Sequence, residues 1–384
     1  MPWLSNAWRS CCVLWIGAAL MVVATADAAQ FDPGADPPYA AALLIEAETG
    51  AVLHEYNADV RRSPASTQKL LLQLVVMDAV VEGHYSLSDS VYTSAWASGM
   101  GGSQVFLKQG EIFPLSELMA AIVISSANDA CAAVAEHIGG SVDGFVDLMN
   151  AKAAELGLGA TQAVNVHGLD DTPFAEGNRT TARDLSTVAV ALLKHPQILE
   201  LSATRIRPFR NGEFTLYTTN RLLGRFRGLD GLKTGYTQRA GHNLVATATR
   251  KQMRLISVIM GASGDKVRER ETSRLLSWGF NNFIKGDIAV AGETIGSVPL
   301  DWGMVPEVAA VLADTVVAVL TPEQRRRVKR EVELPELRDA PVTAGDSIGV
   351  LQLSLDDRLL ARVNLLAAAS VERMGLWEKL MSYF

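Results

Sequence analysis

The run from Leu70 to Met77 is apolar but for Gln73, and a helix over such a run has no polar face, so it must be anchored inside a core. The segment in front of it, Ser63-Pro64-Ala65-Ser66-Thr67-Gln68-Lys69, carries the signals of a helix start. Ser63 suits the N-cap and Pro64 the first helical position, so Ser66 is predicted in the first turn and Lys69 one turn later on the same face. There the positive end of the helix dipole favours a developing alkoxide, and an amine kept partly neutral by burial can take its proton. Ser66 and Lys69 are therefore a candidate nucleophile and base. The plain structural alternative is a capped core helix with a surface lysine, since roughly one or two S-x-x-K strings arise by chance in a chain of this length.

The chain has 384 residues, 48% hydrophobic and 20% charged, enough for two domains and a sizeable core. A net charge of −7 argues against a nucleic-acid partner. The basic run Arg325-Arg326-Arg327-Val328-Lys329-Arg330 continues into Glu331 and Glu333 across Val328, Val332 and Leu334, and is expected to be a solvated strand face. Arg9, the apolar stretch from Cys11 to Ala26 and the small residues around Ala28 have the layout of a secretory signal peptide over residues 1–28, with an uncleaved anchor as the alternative. Beyond it a single cysteine remains, Cys131, in an apolar helical pattern, so no intramolecular disulfide is available to the exported chain and the thiol reads as a small buried hydrophobe. The six histidines show no ligand spacing, and no metal site is expected.

Two strands around Gly50, over Ala40–Ala47 and Val52–Tyr56, precede the nucleophile helix, which should stop near Gly83. A buried helix from Leu115 to Ile124 halts at Ser125-Ser126-Ala127-Asn128, and Asp129 is expected to cap the next helix, which ends at Gly139-Gly140. Ser126 and Asn128 thus fall on a tight link between two buried helices, as cleft residues or as mere cap and turn residues. Further helices are read over 142–156 and 184–193, and His167, beside Gly168 and an Asp pair, is expected to be a turn residue satisfied by backbone. Asp230-Gly231 leads into a strand through Lys233-Thr234-Gly235, followed by strands over 243–249 and 254–260. A helix with Leu275, Leu276, Trp278 and Ile284 closes this domain. The expected fold class is α+β, an antiparallel sheet covered by helices over residues 29–287. A small all-β sandwich follows over 288–369. Residues 370–384 read as an amphipathic helix, with Val371, Met374, Trp377, Met381 and Phe384 on one face, suited to a membrane interface or to docking on the protein.

S-x-x-K at Ser66 and Lys69, S-x-N at Ser126 and Asn128, and K-T-G at Lys233, Thr234 and Gly235 stand in this chain order, each in a context suited to a cleft. At this point the sequence resembles the penicilloyl-serine transferases, and within them the low-molecular-mass penicillin-binding proteins that act as D-alanyl-D-alanine carboxypeptidases. The resemblance extends over nearly the whole mature chain, including His167-Gly168-Leu169-Asp170, Ala182-Arg183-Asp184 and Asn243-Leu244-Val245-Ala246. It implies a catalytic domain of the β-lactamase and DD-peptidase kind, held off the membrane by the β-domain.

The same resemblance implies that Ser66 attacks the carbonyl between the two terminal D-alanines of a peptidoglycan stem peptide while Lys69 takes its proton. Ser126 and Lys233 would relay that proton to the departing D-alanine, and Asn128 would hold the peptide amide. Backbone N–H groups of Ser66 and Tyr236 would form the oxyanion hole, and Lys233, Thr234 and Arg268 would bind the substrate carboxylate. It implies no cofactor, covalent inhibition by β-lactams, and a place in the periplasm, peripheral to the outer face of the bacterial inner membrane through the C-terminal helix. Tyr236 stands where the best-known members have histidine, and Ala127 where glycine is common. A serine β-lactamase shares the three motifs, but its E-x-x-L-N string does not occur here. A non-catalytic wall-binding or cell-shape protein that captures D-alanyl ends is the other alternative.

Overall fold

A computed structural model describes residues 20–22, 31–171, 173 and 176–381. The leader expected over residues 1–28 lies outside these, apart from the short strand β1 (Leu20–Val22). The chain divides into two units, one formed by residues 23–284 with 319–322, the other by 1–22, 285–318 and 323–384.

The first unit begins with β2 (Ala41–Glu46) and β3 (Val52–Tyr56). The helix α1 (Lys69–Val81), the short β4 (Ser90–Tyr92), α2 (Ala95–Ser98) and β5 (Ile112–Pro114) come next. Then α3 (Leu115–Ser125), α4 (Asn128–Gly139), α5 (Val142–Glu155), α6 (Ala182–Leu192) and α7 (Pro196–Ala203) form a helical cluster. The hairpin β6 (Ile206–Phe209) and β7 (Phe214–Tyr217) leads into the meander β8 (Leu229–Thr237), β9 (Gly241–Arg250) and β10 (Met253–Ala262), and α8 (Asp265–Asn282) follows. The main sheet is antiparallel throughout, in the order β3-β2-β10-β9-β8.

Every residue of β2 is buried, because both faces of the sheet are covered. Ala41, Leu43 and Ile45 enter the core that holds Leu70 to Met77 of α1, whereas Ala42 and Leu44 enter the opposite core with Leu275 and Leu276 of α8. The expected helices and strands of this unit are present. Ile284 is the exception, since α8 ends at Asn282 and Ile284 opens the strand β11 (Ile284–Ala289).

The second unit continues with β12 (Thr294–Asp301), β13 (Glu307–Leu312), β14 (Val316–Leu320), the short α9 (Pro322–Arg327), β15 (Val328–Glu333), β16 (Arg338–Asp339), β17 (Ser347–Leu355) and β18 (Arg358–Ala367). Its strands form a six-stranded sheet, β15-β17-β18-β13-β12-β16, and a three-stranded one, β1-β14-β11, in agreement with the expected all-β domain. Arg325 to Arg327 are not strand residues. Pro322 opens a helical turn, Glu323 sits in its first turn and the arginines in its last, which complements the dipole, and the strand starts only at Val328.

The terminal helix is also shorter than expected, α10 covering Leu376–Met381 only. Val371 is buried and exchanges backbone hydrogen bonds with Val342 at 3.0 and 2.8 Å, so that stretch is extended and cannot share a helical face with Trp377. Phe384 lies outside the described residues.

Candidate active site

Ser66 lies three residues before α1, in a 3-10 turn over Ala65–Gln68 whose first residue, Ala65, has a φ of +48°. The Ser63 cap predicted from sequence does not form. Its hydroxyl instead donates to Asp170 Oδ1 at 2.9 Å, and Thr67 Oγ1 donates to the Pro64 carbonyl at 2.6 Å. A left-handed alanine costs about 1–3 kcal/mol and persists only where its surroundings enforce it. Here Asn243 of β9, fully buried, donates through Nδ2 to the carbonyls of Ser63 (3.1 Å) and Pro64 (2.9 Å), while its Oδ1 accepts from Gly261 N at 2.8 Å. Two glycines close on the same turn. A Cβ on Gly168, whose φ is +86°, would stand 2.0 Å from the Ala65 carbonyl oxygen, and one on Gly235 would stand 3.0 Å from the backbone nitrogens of Ser66 and Thr67. The K-T-G strand therefore runs directly alongside the nucleophile, which brings Lys233, Gly235 and Tyr236 to Ser66.

Lys69 is fully buried and its Nζ donates to Ser66 Oγ at 2.8 Å and to the His167 carbonyl at 2.9 Å. Burial brings its pKa down to about 8, so roughly a tenth of it is neutral at pH 7. Lys233 is equally buried, donates to the Thr234 carbonyl at 2.9 Å, and is held well below the ordinary lysine value by burial first and by the charge of Lys69 second. Cys131 of α4 lies within electrostatic reach of both lysines, and burial pushes its thiol up to about 11, as expected of an inert core residue. Asn128 stands one helical turn before Cys131, at the start of α4.

Ser126 caps α3 in a left-handed conformation (φ +64°), and its buried Oγ has no partner among the described residues. Asn128 donates through Nδ2 to the Gly101 carbonyl at 2.7 Å, leaving its buried Oδ1 without a partner among the described residues. Arg268, in the second turn of α8, is buried with its Nε likewise unpartnered. Each such group costs about 1–3 kcal/mol in a folded protein and so needs a reason. Thr234 Oγ1 is bonded to Thr219 Oγ1 at 2.6 Å. Tyr236 is the exposed member, 58% accessible, its ring against His242 at 4.3 Å between centroids.

Several contributors were not visible as site residues in the sequence. His167 is a turn residue as expected, its Nδ1 accepting from Leu169 N at 3.2 Å and burial lowering its pKa to about 4. What it gives the site is its carbonyl. That carbonyl is placed by Asn165, whose Oδ1 accepts from Gly168 N at 2.8 Å, and by Gln68, whose Nε2 donates to Asn165 O at 3.0 Å and Asn178 Oδ1 at 2.7 Å. Asp129 does not cap α4. Its carboxylate accepts from Val105 N and Leu107 N at 3.1 and 3.0 Å and so holds the loop beside Asn128.

Residues 32–264 match the family model described as D-alanyl-D-alanine carboxypeptidase, and residues 283–373 match that of the penicillin-binding protein 5 C-terminal domain. The chain is 35% identical over 339 residues to D-alanyl-D-alanine carboxypeptidase DacF of Bacillus subtilis, covering 87% of this chain and 86% of that protein. It is 36% identical over 351 residues to DacA of Escherichia coli K12, covering 89% and 85%. Among solved structures, penicillin binding protein 5 of Haemophilus influenzae superposes with a TM-score of 0.73 at 31% identity, over 88% of this chain and all of that one. Penicillin-binding protein D2 of Listeria monocytogenes, solved in an ampicillin-bound form, does so with 0.59 at 30%, over 65% of this chain and all of that one. The matches cover residues of both units, and the chain is a member of the D-alanyl-D-alanine carboxypeptidase family.

Proposed function

We propose that this protein is a serine D-alanyl-D-alanine carboxypeptidase that removes the terminal D-alanine from peptidoglycan stem pentapeptides and is acylated by penicillins. The observation that carries the reading is the fully buried Lys69, its amine 2.8 Å from Ser66 Oγ and its pKa brought down by burial to about 8. A neutral Lys69 accepts the hydroxyl proton along this contact as Ser66 Oγ attacks the D-alanyl carbonyl. The His167 carbonyl steadies the amine in its charged form. The developing oxyanion is received by the backbone N–H groups of Ser66 and Tyr236, at a place where strand β8 lies against the turn. Ser126 Oγ and Lys233 pass the proton to the leaving nitrogen, Asn128 holds the amide of the peptide, and Arg268, Lys233, Thr234 and Gly235 receive the terminal carboxylate. Water then hydrolyses the ester.

In this reading the leader directs export to the periplasm, and α10 keeps the enzyme peripheral to the inner membrane. The exposure of Leu376 (73%), Trp377 (82%), Leu380 (54%) and Met381 (71%) supports that second role, and no described helix is long and apolar enough to cross a membrane.

Incubating the purified protein with a stem pentapeptide and quantifying free D-alanine tests the proposal, with benzylpenicillin and nitrocefin in parallel. Release of D-alanine, stable penicillin labelling and slow nitrocefin turnover are expected. Labelling without release points to a capture protein, and rapid nitrocefin turnover to a β-lactamase.

A further inference from the structure

Lys69 Nζ has two hydrogen-bond acceptors among the described residues, Ser66 Oγ at 2.8 Å and the His167 carbonyl at 2.9 Å. The carbonyl belongs to a stretch, residues 163–171, that forms neither helix nor strand, so no backbone ladder fixes it. Side-chain amides do so instead. Asn165 Oδ1 accepts from Gly168 N at 2.8 Å and Asn165 Nδ2 donates to Leu169 O at 3.0 Å, which ties down the chain just past His167. Asn178 Nδ2 donates to the same Asn165 Oδ1 at 2.8 Å, and Asn178 Oδ1 accepts from Val164 N at 2.9 Å and Asn165 N at 3.3 Å.

The remaining member is Gln68, the residue directly before the base. Its Nε2 donates to Asn178 Oδ1 at 2.7 Å and to Asn165 O at 3.0 Å, and both Gln68 and Asn178 are 4% exposed. Asn178 is itself anchored. The next residue, Arg179, exchanges backbone hydrogen bonds with Gln162 at 2.8 and 2.9 Å, and Thr180 does so with Arg62, ahead of the serine turn, at 2.8 and 3.0 Å. One buried amide pair therefore links the backbone beside Lys69 to the loop whose carbonyl receives its amine.

A carbonyl at hydrogen-bond distance favours the charged form of an amine, whereas burial favours the neutral form and here brings the pKa of Lys69 down to about 8. The other titratable groups facing this amine are Cys131 on α4, Lys233 on β8 and His167 itself. Burial holds the thiol up at about 11 and the imidazole down at about 4, so neither changes charge across the neutral range. The exposed Asp171 carboxylate lies 3.8 Å from His167 Nε2. Lys233 titrates in the field of Lys69, but its amine is bonded to the Thr234 carbonyl and makes no bond to Gln68 or Asn178 among the described residues.

We propose that Gln68 and Asn178 are positioning residues for the general base, which through Asn165 press the His167 carbonyl onto Lys69 Nζ and so set the pH at which the amine becomes available to Ser66. The inference rests on the carboxypeptidase reading, in which Lys69 takes the Ser66 proton. Without either amide the loop draws back and the ammonium loses an acceptor. The charged form is then disfavoured, which moves the midpoint of acylation to lower pH, and the plateau falls because Nζ is no longer held in line with Oγ. A role in folding alone would lower the amount of active enzyme and leave the midpoint in place.

The test uses the full-length protein with Gln68→Met, Asn178→Ser and the double variant, following acylation by benzylpenicillin across pH, thermal melting, and D-alanine release from a stem pentapeptide. Each single variant should melt cooperatively, with its acylation midpoint about half to one pH unit below wild type and its plateau down about tenfold. The double variant should shift little further than the larger single effect, since both residues act through one loop. An unchanged or raised midpoint in either variant that folds, or loss of cooperative melting in both, would overturn the proposal. Wild type that is acylated by benzylpenicillin yet releases no D-alanine would instead sink the carboxypeptidase reading, while the midpoints still decide the role of the network.

Discussion

Lys69 has to be neutral to act as a base, and burial is what makes a neutral lysine accessible. Its pKa is brought down to about 8, so the neutral fraction grows as pH rises and saturates above that value. The second-order rate of penicillin acylation, followed by stopped flow, should therefore rise about tenfold per pH unit below the pKa and level off about one unit above it. A flat profile from pH 6 to pH 9 would refute the assignment. Arginine in the same place cannot give up its proton, so Lys69→Arg should lower the acylation rate by about 100-fold or more although the positive charge is kept. Ser66 and Lys69 were readable in the sequence because their relation is local, three residues apart. The carbonyl of His167 was not, since it is 98 residues from Lys69 and any residue type has a carbonyl.

At the level of elements, the nucleophile turn is held by parts of the chain far from it. The predicted N-cap at Ser63 failed because Asn243, from β9, captures the Ser63 and Pro64 carbonyls and draws the backbone into a tighter start. Asn243→Ala removes these two bonds and the one from Gly261 N at a fully buried position, and should cost about 2–4 kcal/mol in urea unfolding and slow acylation as Ala65 relaxes. Unchanged stability would show that the turn holds itself. Gly168→Ala meets both a positive φ and the Ala65 carbonyl, and penicillin labelling should fall by about 100-fold or more. The strands and helices of the catalytic unit were legible because their apolar periods are long and bounded by turn residues. The 3-10 start, the end of α8 before Ile284 and the helical Arg325–Arg327 were not, since each depends on a competing partner or on one turn of chain.

On the scale of the whole molecule, the structure divides the chain after Ile284, with residues 319–322 returning to the first unit. The helix expected over 370–384 forms only over Leu376–Met381, because Val371 has the right spacing for a helical face yet is held by Val342 in an extended stretch. What remains exposed is a short apolar end, docked through Lys379 Nζ to Asp301 Oδ1 at 2.7 Å within its own unit. Deleting residues 376–384 should leave D-alanine release from a soluble pentapeptide within twofold and abolish sedimentation with lipid vesicles; undiminished sedimentation would remove the tail from the membrane account. The claim beneath all of this is that one hydroxyl carries the covalent step. It is tested most directly by trapping the enzyme with benzylpenicillin, digesting it and locating the adduct by mass spectrometry. The account predicts a penicilloyl ester on Ser66, absent from Ser66→Ala; an adduct on Ser126 or elsewhere, or one that survives the substitution, would contradict it.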